Sequence, residues 1–139
     1  MKIEALSTGL LPFAARLLLC AIFVQGAFGK ITGWAGQAEY MASHGMRFIA
    51  PLLAAALVIE VVGVLLLLVG YQARLAALVM FVYLGIVSAM LHNFWALSGM
   101  SAGANQTAFL KNLGIMGGLL MISAYGPGRW AIAADSERV

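Results

Sequence analysis

Residues 48–70 read FIAPLLAAALVIEVVGVLLLLVG, an apolar run of 23 residues with one ionisable group, Glu60, near its middle. At about 1.5 Å rise per residue, a helix of this length extends roughly 34 Å, enough to cross a hydrocarbon core of about 30 Å. A charged carboxylate at that depth costs several kcal/mol even on lenient insertion scales. Glu60 must therefore be neutral, paired, or turned toward a wet cavity. Which of these holds is the main functional question raised by the sequence.

The rest of the chain agrees with a membrane reading. Of its 139 residues 63% are hydrophobic and 9% charged, against the roughly one quarter charged of a soluble domain, and the mean hydropathy is +0.99. The length allows one domain, residues 1–139. Four apolar runs predict four transmembrane helices, at about residues 10–29, 48–70, 75–97 and 107–125; because they are unbroken rather than alternating, strands are not expected. The fold class is all-α, a four-helix transmembrane bundle. The first run is long for a cleaved signal and is interrupted by Arg16, so it is expected to be retained as a span. Pro12 and Pro51 fall in first turns, where a missing N–H costs little.

The connections carry their own signals. Ile31 to Arg47 is the longest polar one; Trp34 and Tyr40 suit a membrane interface, and Gln37 to Ser43 predicts a short surface helix. Gly70 to Arg74 reads as a tight turn, Ser98 to Gln106 as a loop, and Gly126-Pro127-Gly128 as the stop of the fourth span. Trp95 and Trp130 are expected as interface anchors. If both termini are cytoplasmic, Lys2, Arg16, Arg74, Arg129 and Arg138 lie inside and Lys30, Arg47 and Lys111 outside, five against three, which favours that orientation. The net charge of +3 is spread over these scattered positions and predicts no nucleic-acid surface.

Depth then sorts the polar groups. Arg16 lies roughly 9 Å from the inner end of the first span and Glu60 roughly 15 Å from that of the second. A long, snorkelling arginine spans such an offset, so an Arg16–Glu60 ion pair is expected. At the opposite end, Lys30, His92, Asn93, Lys111 and Asn112 come to one level, with Glu60 below them. That arrangement predicts a polar cavity for an anionic or quinone-like head group, Glu60 and His92 serving as its proton-handling residues and Lys30, Asn93, Lys111 and Asn112 as its ligand-binding residues. The bland alternatives are an inert Glu60 pair, lysines snorkelling to lipid phosphate, and asparagines acting as interhelical glue. Gly114-x-x-x-Gly118 permits close helix approach and is expected to serve packing within the bundle.

Several chemistries lack their residues. The lone Cys20, inside the first span, excludes an intrachain disulfide and a CxxC relay and reads as a buried structural thiol. The two histidines and few carboxylates give no metal-ligand spacing and no bis-histidine haem site, so no metal or haem is expected. Redox chemistry here would need an external cofactor.

Arg16 in the first span, Gly29-Lys30 at its exit, Glu60 in the second and the Gly70-to-Arg74 turn form an ordered set. His92 late in the third span, Phe109-x-Lys111-Asn112-Leu113 and Gly126-Pro127-Gly128 complete it. In order and spacing these residues resemble the DoxX family of small bacterial inner-membrane proteins, its YqjF-like members in particular, over roughly residues 10–132. The resemblance implies a four-helix protein of the bacterial cytoplasmic membrane. It also implies a relation to the small subunit of a thiosulfate:quinone oxidoreductase and a link, in some relatives, to thiol and oxidative-stress systems. Many members follow Gly-Pro-Gly with an aromatic, Ser, an aliphatic and Asp; here the run is Trp130-Ala131-Ile132-Ala133, so a role for that Ser or Asp does not carry over.

Three functions remain open on these grounds. The leading one is a subunit or accessory of quinone-linked sulfur or thiol redox chemistry, with a quinone as its cofactor and a redox protein or a second copy as its partner. The second is a small-molecule or lipid-binding membrane transporter. The third is a non-catalytic scaffold whose charges only fix helix packing. The bilayer is a partner in all three.

Overall fold

The computed structural model describes residue 3 and residues 6–132. Lys2 and Arg138, used in the charge count, and Ala133, which closes the run after Gly-Pro-Gly, lie outside the described residues. A π-helical turn, Leu6–Leu10, leads into α1 (Leu11–Thr32), a short helix α2 (Trp34–Ser43), α3 (Ile49–Val69), α4 (Ala73–Leu91) and α5 (Gly99–Tyr125). Four of these helical segments are long and apolar enough to cross a membrane, and no strand occurs among the described residues. The expected all-α four-span architecture is therefore the observed one. The spans alternate in direction, so both described ends of the chain lie at one end of the bundle, here the terminal end. Helix α2 and the α4–α5 connection lie at the other, the far end.

Two boundaries differ from expectation. The third span stops as α-helix at Leu91, and a 3-10 turn, Phe94–Ala96, follows the break at His92 and Asn93. The stretch read as a loop, Ser98 to Gln106, is helical from Gly99, so α5 begins two turns early. Its Gly, Ala, Ser and Asn content is weak in intrinsic helix propensity, and tertiary context overrides that preference. Asn105 Nδ2 and Thr107 Oγ1 donate back to the carbonyls four residues before them, Ser101 and Gly103, at 3.0 Å each. Phe109 packs edge-on against both Phe94 and Trp95. The aromatic cluster ties the segment to the preceding turn. The short surface helix expected at Gln37–Ser43 is present as the C-terminal part of α2.

Around the bundle, α1 packs on α3, α3 on α4 and α4 on α5, while α1 and α5 touch lightly. On α1 the buried residues are Arg16, Cys20, Phe23 and Ala27, spaced four, three and four apart, one face of a 3.6-residue helix. They meet Val64 and Leu67 of α3; Met80 and Leu84 of α4 and Leu119 and Ile122 of α5 complete the core. Small residues set the approach. A Cβ on Gly63 would overlap the Met80 sulfur, and one on Gly118 would lie 2.9 Å from Leu19 Cδ2. Of the Gly114-x-x-x-Gly118 pair only Gly118 serves packing in the bundle, because Gly114 faces open space.

The expected Arg16–Glu60 pair is not formed. Arg16, fully buried, donates from Nη1 to the Leu67 and Leu68 carbonyls at 2.9 Å each and from Nη2 to the Trp130 carbonyl. The reason is the register of α1 on α3. Matching the expected inner ends sets Glu60 level with Cys20. Instead Cys20 Sγ lies 3.9 Å from the Val64 carbonyl, and Glu60 lies level with Gly26, more than a turn further along. That leaves Arg16 roughly 12–15 Å from Glu60 along the helix axes. Arg16 instead meets the C-terminal carbonyls of α3, orphan acceptors at the negative end of a helix dipole.

Arg16 also fastens the segment after α5. Gly126 and Gly128, both in the left-handed region, turn the chain back across the terminal end. There Arg129 N donates to Thr8 O at 2.7 Å and Ile132 N to Val69 O at 3.0 Å. One guanidinium thus joins α1, the end of α3 and this strap. Arg16→Gln is expected to lower unfolding stability by roughly 3 kcal/mol or more, since three bonds from a charged donor are lost. It should also release the strap, measured as faster tryptic cleavage at Arg129 in detergent-purified protein; unchanged cleavage would argue against Arg16 as the fastener.

Candidate functional site

Glu60 is paired with a lysine instead. Lys30 Nζ lies 2.8 Å from Glu60 Oε1 and 2.9 Å from Oε2, with the two side chains 13% and 6% exposed. Tyr83 of α4 donates to Oε1 at 2.7 Å, and Lys30 makes a longer contact of 3.4 Å to the Gly26 carbonyl. The local geometry explains why these residues meet. Side chains on a helix tilt toward its N-terminus. On antiparallel α1 and α3, Lys30 therefore leans toward the terminal end and Glu60 toward the far end, closing the gap between them. Gly26 supplies the room: a Cβ there would stand 3.2 Å from both carboxylate oxygens.

This cluster lies on the wall of a cavity of about 790 Å³ in the far half of the bundle, formed by α1, α3 and α4 with α2 across its mouth. The lining is mostly aliphatic. Its polar members are Lys30, Glu60, Tyr83, Gln37, Tyr40 and His92. Tyr40 OH donates to the Leu91 carbonyl at 3.1 Å, which links α2 to the end of α4. Met41 is the one buried residue of α2, so this helix lies over the cavity with little packing of its own.

The other expected site residues separate. His92, at the C-cap of α4, lines the cavity, but it is nine residues from Tyr83, roughly 13 Å along the helix, and does not touch Glu60. Asn93 lies in the helix break with its Oδ1 buried and without a hydrogen-bond partner among the described residues. Lys111 is exposed on α5, away from the cavity lining, and Asn112 is buried, donating to Ser88 Oγ at 2.9 Å. Ser88 in turn donates to the Leu84 carbonyl at 2.6 Å, so Asn112 links α5 to α4. Lys30, Glu60 and His92 thus share the cavity, while Asn93, Lys111 and Asn112 lie outside its lining.

Residues 11–93 match the DoxX family. The chain belongs to the DoxX family. It is 37% identical over 124 residues to the inner membrane protein YphA of Escherichia coli K12, covering 87% of this chain and 85% of that one. It is 34% identical over 119 residues to the inner membrane protein YqjF of the same organism, covering 85% of each. A more distant likeness, 23% over 124 residues, links 89% of the chain to 33% of the ER-derived vesicles protein ERV29 of Saccharomyces cerevisiae. No solved structure matches. With its four membrane-capable helices and its relatives, this DoxX chain is an integral inner-membrane protein.

Two members of the cluster carried a readable but weak sequence signal. Tyr83 is a phenol in the middle of an apolar span, and a buried tyrosine hydroxyl needs a partner. Gly26 lies one turn before Lys30, on the same helix face. Neither marks its partner helix in the sequence. Because Lys30 and Glu60 share their charge, removing either leaves the other buried and uncompensated. Lys30→Gln and Glu60→Gln are each expected to destabilise by about 3 kcal/mol, and the double variant by less than the sum, a coupling of about 1–3 kcal/mol. Arg16→Gln should add to Glu60→Gln with no such coupling; coupling to Arg16 rather than Lys30, read from unfolding in detergent, would contradict the pairing.

Proposed function

We propose that this DoxX protein binds a lipid-soluble quinone in its far-half cavity, as a membrane subunit or accessory of quinone-linked sulfur or thiol redox chemistry. The observation that carries this reading is a large aliphatic cavity with a neutralised Lys30–Glu60–Tyr83 cluster in its wall. A quinone has the same division, an apolar tail and a ring with two acceptor oxygens. A bound quinone would supply two-electron, two-proton redox capacity that these side chains lack. The lysine ammonium and the tyrosine hydroxyl are donors that can be offered to a ring oxygen, and the Glu60 carboxylate is the acceptor that holds both of them at the wall. The aliphatic lining would exclude water from the ring, and α2 would cover the mouth. The termini face the cytoplasm in this reading, following the five-to-three charge bias of the whole sequence.

A transporter of anions fits less well. It needs an uncompensated cation in the cavity, and Lys30 is neutralised by Glu60 while Lys111 lies outside the lining. A pure scaffold has no use for an open cavity of this volume.

Gently purified protein is expected to retain quinone, detected by mass spectrometry of the organic extract, and to gain thermal stability when a short-chain quinone is added. Ala56→Trp, which fills the cavity and keeps every charge, should abolish both effects. Wild-type protein that retains no quinone and shows no quinone-dependent shift would remove this reading.

A further inference from the structure

His92 is held by one ring nitrogen. Its Nδ1 lies 3.2 Å from Asn105 Oδ1, while Asn105 Nδ2 donates to the Ser101 carbonyl at 3.0 Å. The second bond fixes the amide. A backbone carbonyl only accepts, so the amide nitrogen must face Ser101 and the amide oxygen must face His92. An amide oxygen has no proton to give, so the proton between the two residues belongs to Nδ1. In the neutral imidazole, Nε2 then carries a lone pair and no proton.

The other polar groups of the cavity are mostly committed to one another. Lys30 and Tyr83 donate to Glu60, and Tyr40 donates to Leu91. His92 lines the same cavity, and its Nε2 has no hydrogen-bond partner among the described residues. His92 thus lines the far end of a mostly aliphatic space and carries, in this tautomer, an Nε2 acceptor that no described residue engages.

We propose that Asn105 is a positioning residue that holds His92 as the Nδ1–H tautomer, making Nε2 the acceptor with which the cavity reads a hydroxyl group on its ligand. The inference rests on the cavity being a ligand site. For a quinone it adds a direction. Ring hydroxyls exist in the reduced form and not in the oxidised one, so His92 favours the quinol. It also gives a role to the first two turns of α5, which carry Asn105 over the end of α4.

The test uses the full-length protein in detergent with ¹⁵N-labelled histidine, in a His44→Gln background that leaves His92 as the single imidazole. At a pH where the ring is neutral, the expected spectrum shows a protonated Nδ1 and an unprotonated Nε2. Asn105→Asp keeps the acceptor and should keep that spectrum. Asn105→Leu removes it and should move the proton to Nε2. An alkyl hydroquinone should perturb the Nε2 resonance and bind roughly 2- to 10-fold more weakly to Asn105→Leu, as the loss of one hydrogen bond predicts. Its dimethyl ether, which has no hydroxyl, should leave Nε2 unperturbed and bind both proteins alike.

A wild-type proton on Nε2, or an Nδ1 proton that survives Asn105→Leu, would overturn the positioning role. An Nε2 resonance indifferent to the hydroquinone would overturn the hydroxyl-reading role. Absence of retained quinone, together with an Nε2 response to the hydroquinone, would instead sink the quinone reading and leave this inference standing.

Discussion

A carboxylate in the middle of α3 has to be answered inside the bilayer, and the way it is answered shapes the far half of the molecule. Lys30 cannot reach Glu60 unless α1 and α3 run antiparallel in one register. That register in turn sets Gly26 against the carboxylate and Cys20 beside Val64. Tyr83 then has to approach from α4, which fixes the rotation of a third helix. The pair neutralises both charges without either leaving the hydrocarbon region, and its mutual tilt follows from helix geometry alone. The hydrogen bonds of Glu60 therefore orient three helices.

The two halves of the bundle solve the same problem in opposite ways. In the terminal half, Arg16 is spent on carbonyls: it closes the end of α3 and fastens the strap after α5, in a region where Leu67, Met80, Ala77 and Leu119 are fully buried. Gly63 and Gly118 let the helices approach there without a gap. In the far half, the polar contacts run between side chains at the wall of a cavity rather than through its centre, so space is left. A tightly fastened end gives the open end a fixed frame, and open volume is therefore found where the helices are held by polar contacts instead of by dense packing.

The sequence carried the architecture and part of the site. Unbroken apolar runs located the four spans, and the cost of a lone carboxylate singled out Glu60 before any geometry was known. Register was the missing quantity. In α1 and α3 the span ends are defined only loosely by composition, and a register difference of six residues, from Cys20 to Gly26 as the level of Glu60, is enough to exchange Arg16 for Lys30 as its partner. Both lysine and arginine lie on α1 within reach of a plausible alignment; only the packing of Cys20 on Val64 and of Gly26 on Glu60 selects between them. The early start of α5 was hidden for a different reason. Its first two turns are built from residues of low helix propensity and are held by backbone-directed side chains and an aromatic cluster, contacts that local sequence does not reveal. Asn105 was therefore invisible as a partner for His92.

The neutral pair also bears on what kind of molecule the cavity suits. A free lysine at this depth would attract any anion that could reach it, including lipid phosphate, and would discriminate poorly. A free carboxylate would do the same for cations. With the two charges cancelled at 2.8 Å, the cavity has no net charge to lead selection, and shape and hydrogen-bond directionality are what remain. Its directional groups are of two kinds. Donors cluster around Glu60, already engaged and yielding only to a ligand that offers an acceptor in exchange, while the His92 end presents an acceptor that costs nothing to engage. A cavity with that polarity distinguishes ligands by where their hydroxyls and carbonyls lie along an apolar body. In a quinone, a change of oxidation state alters that feature while leaving size and hydrophobicity nearly the same.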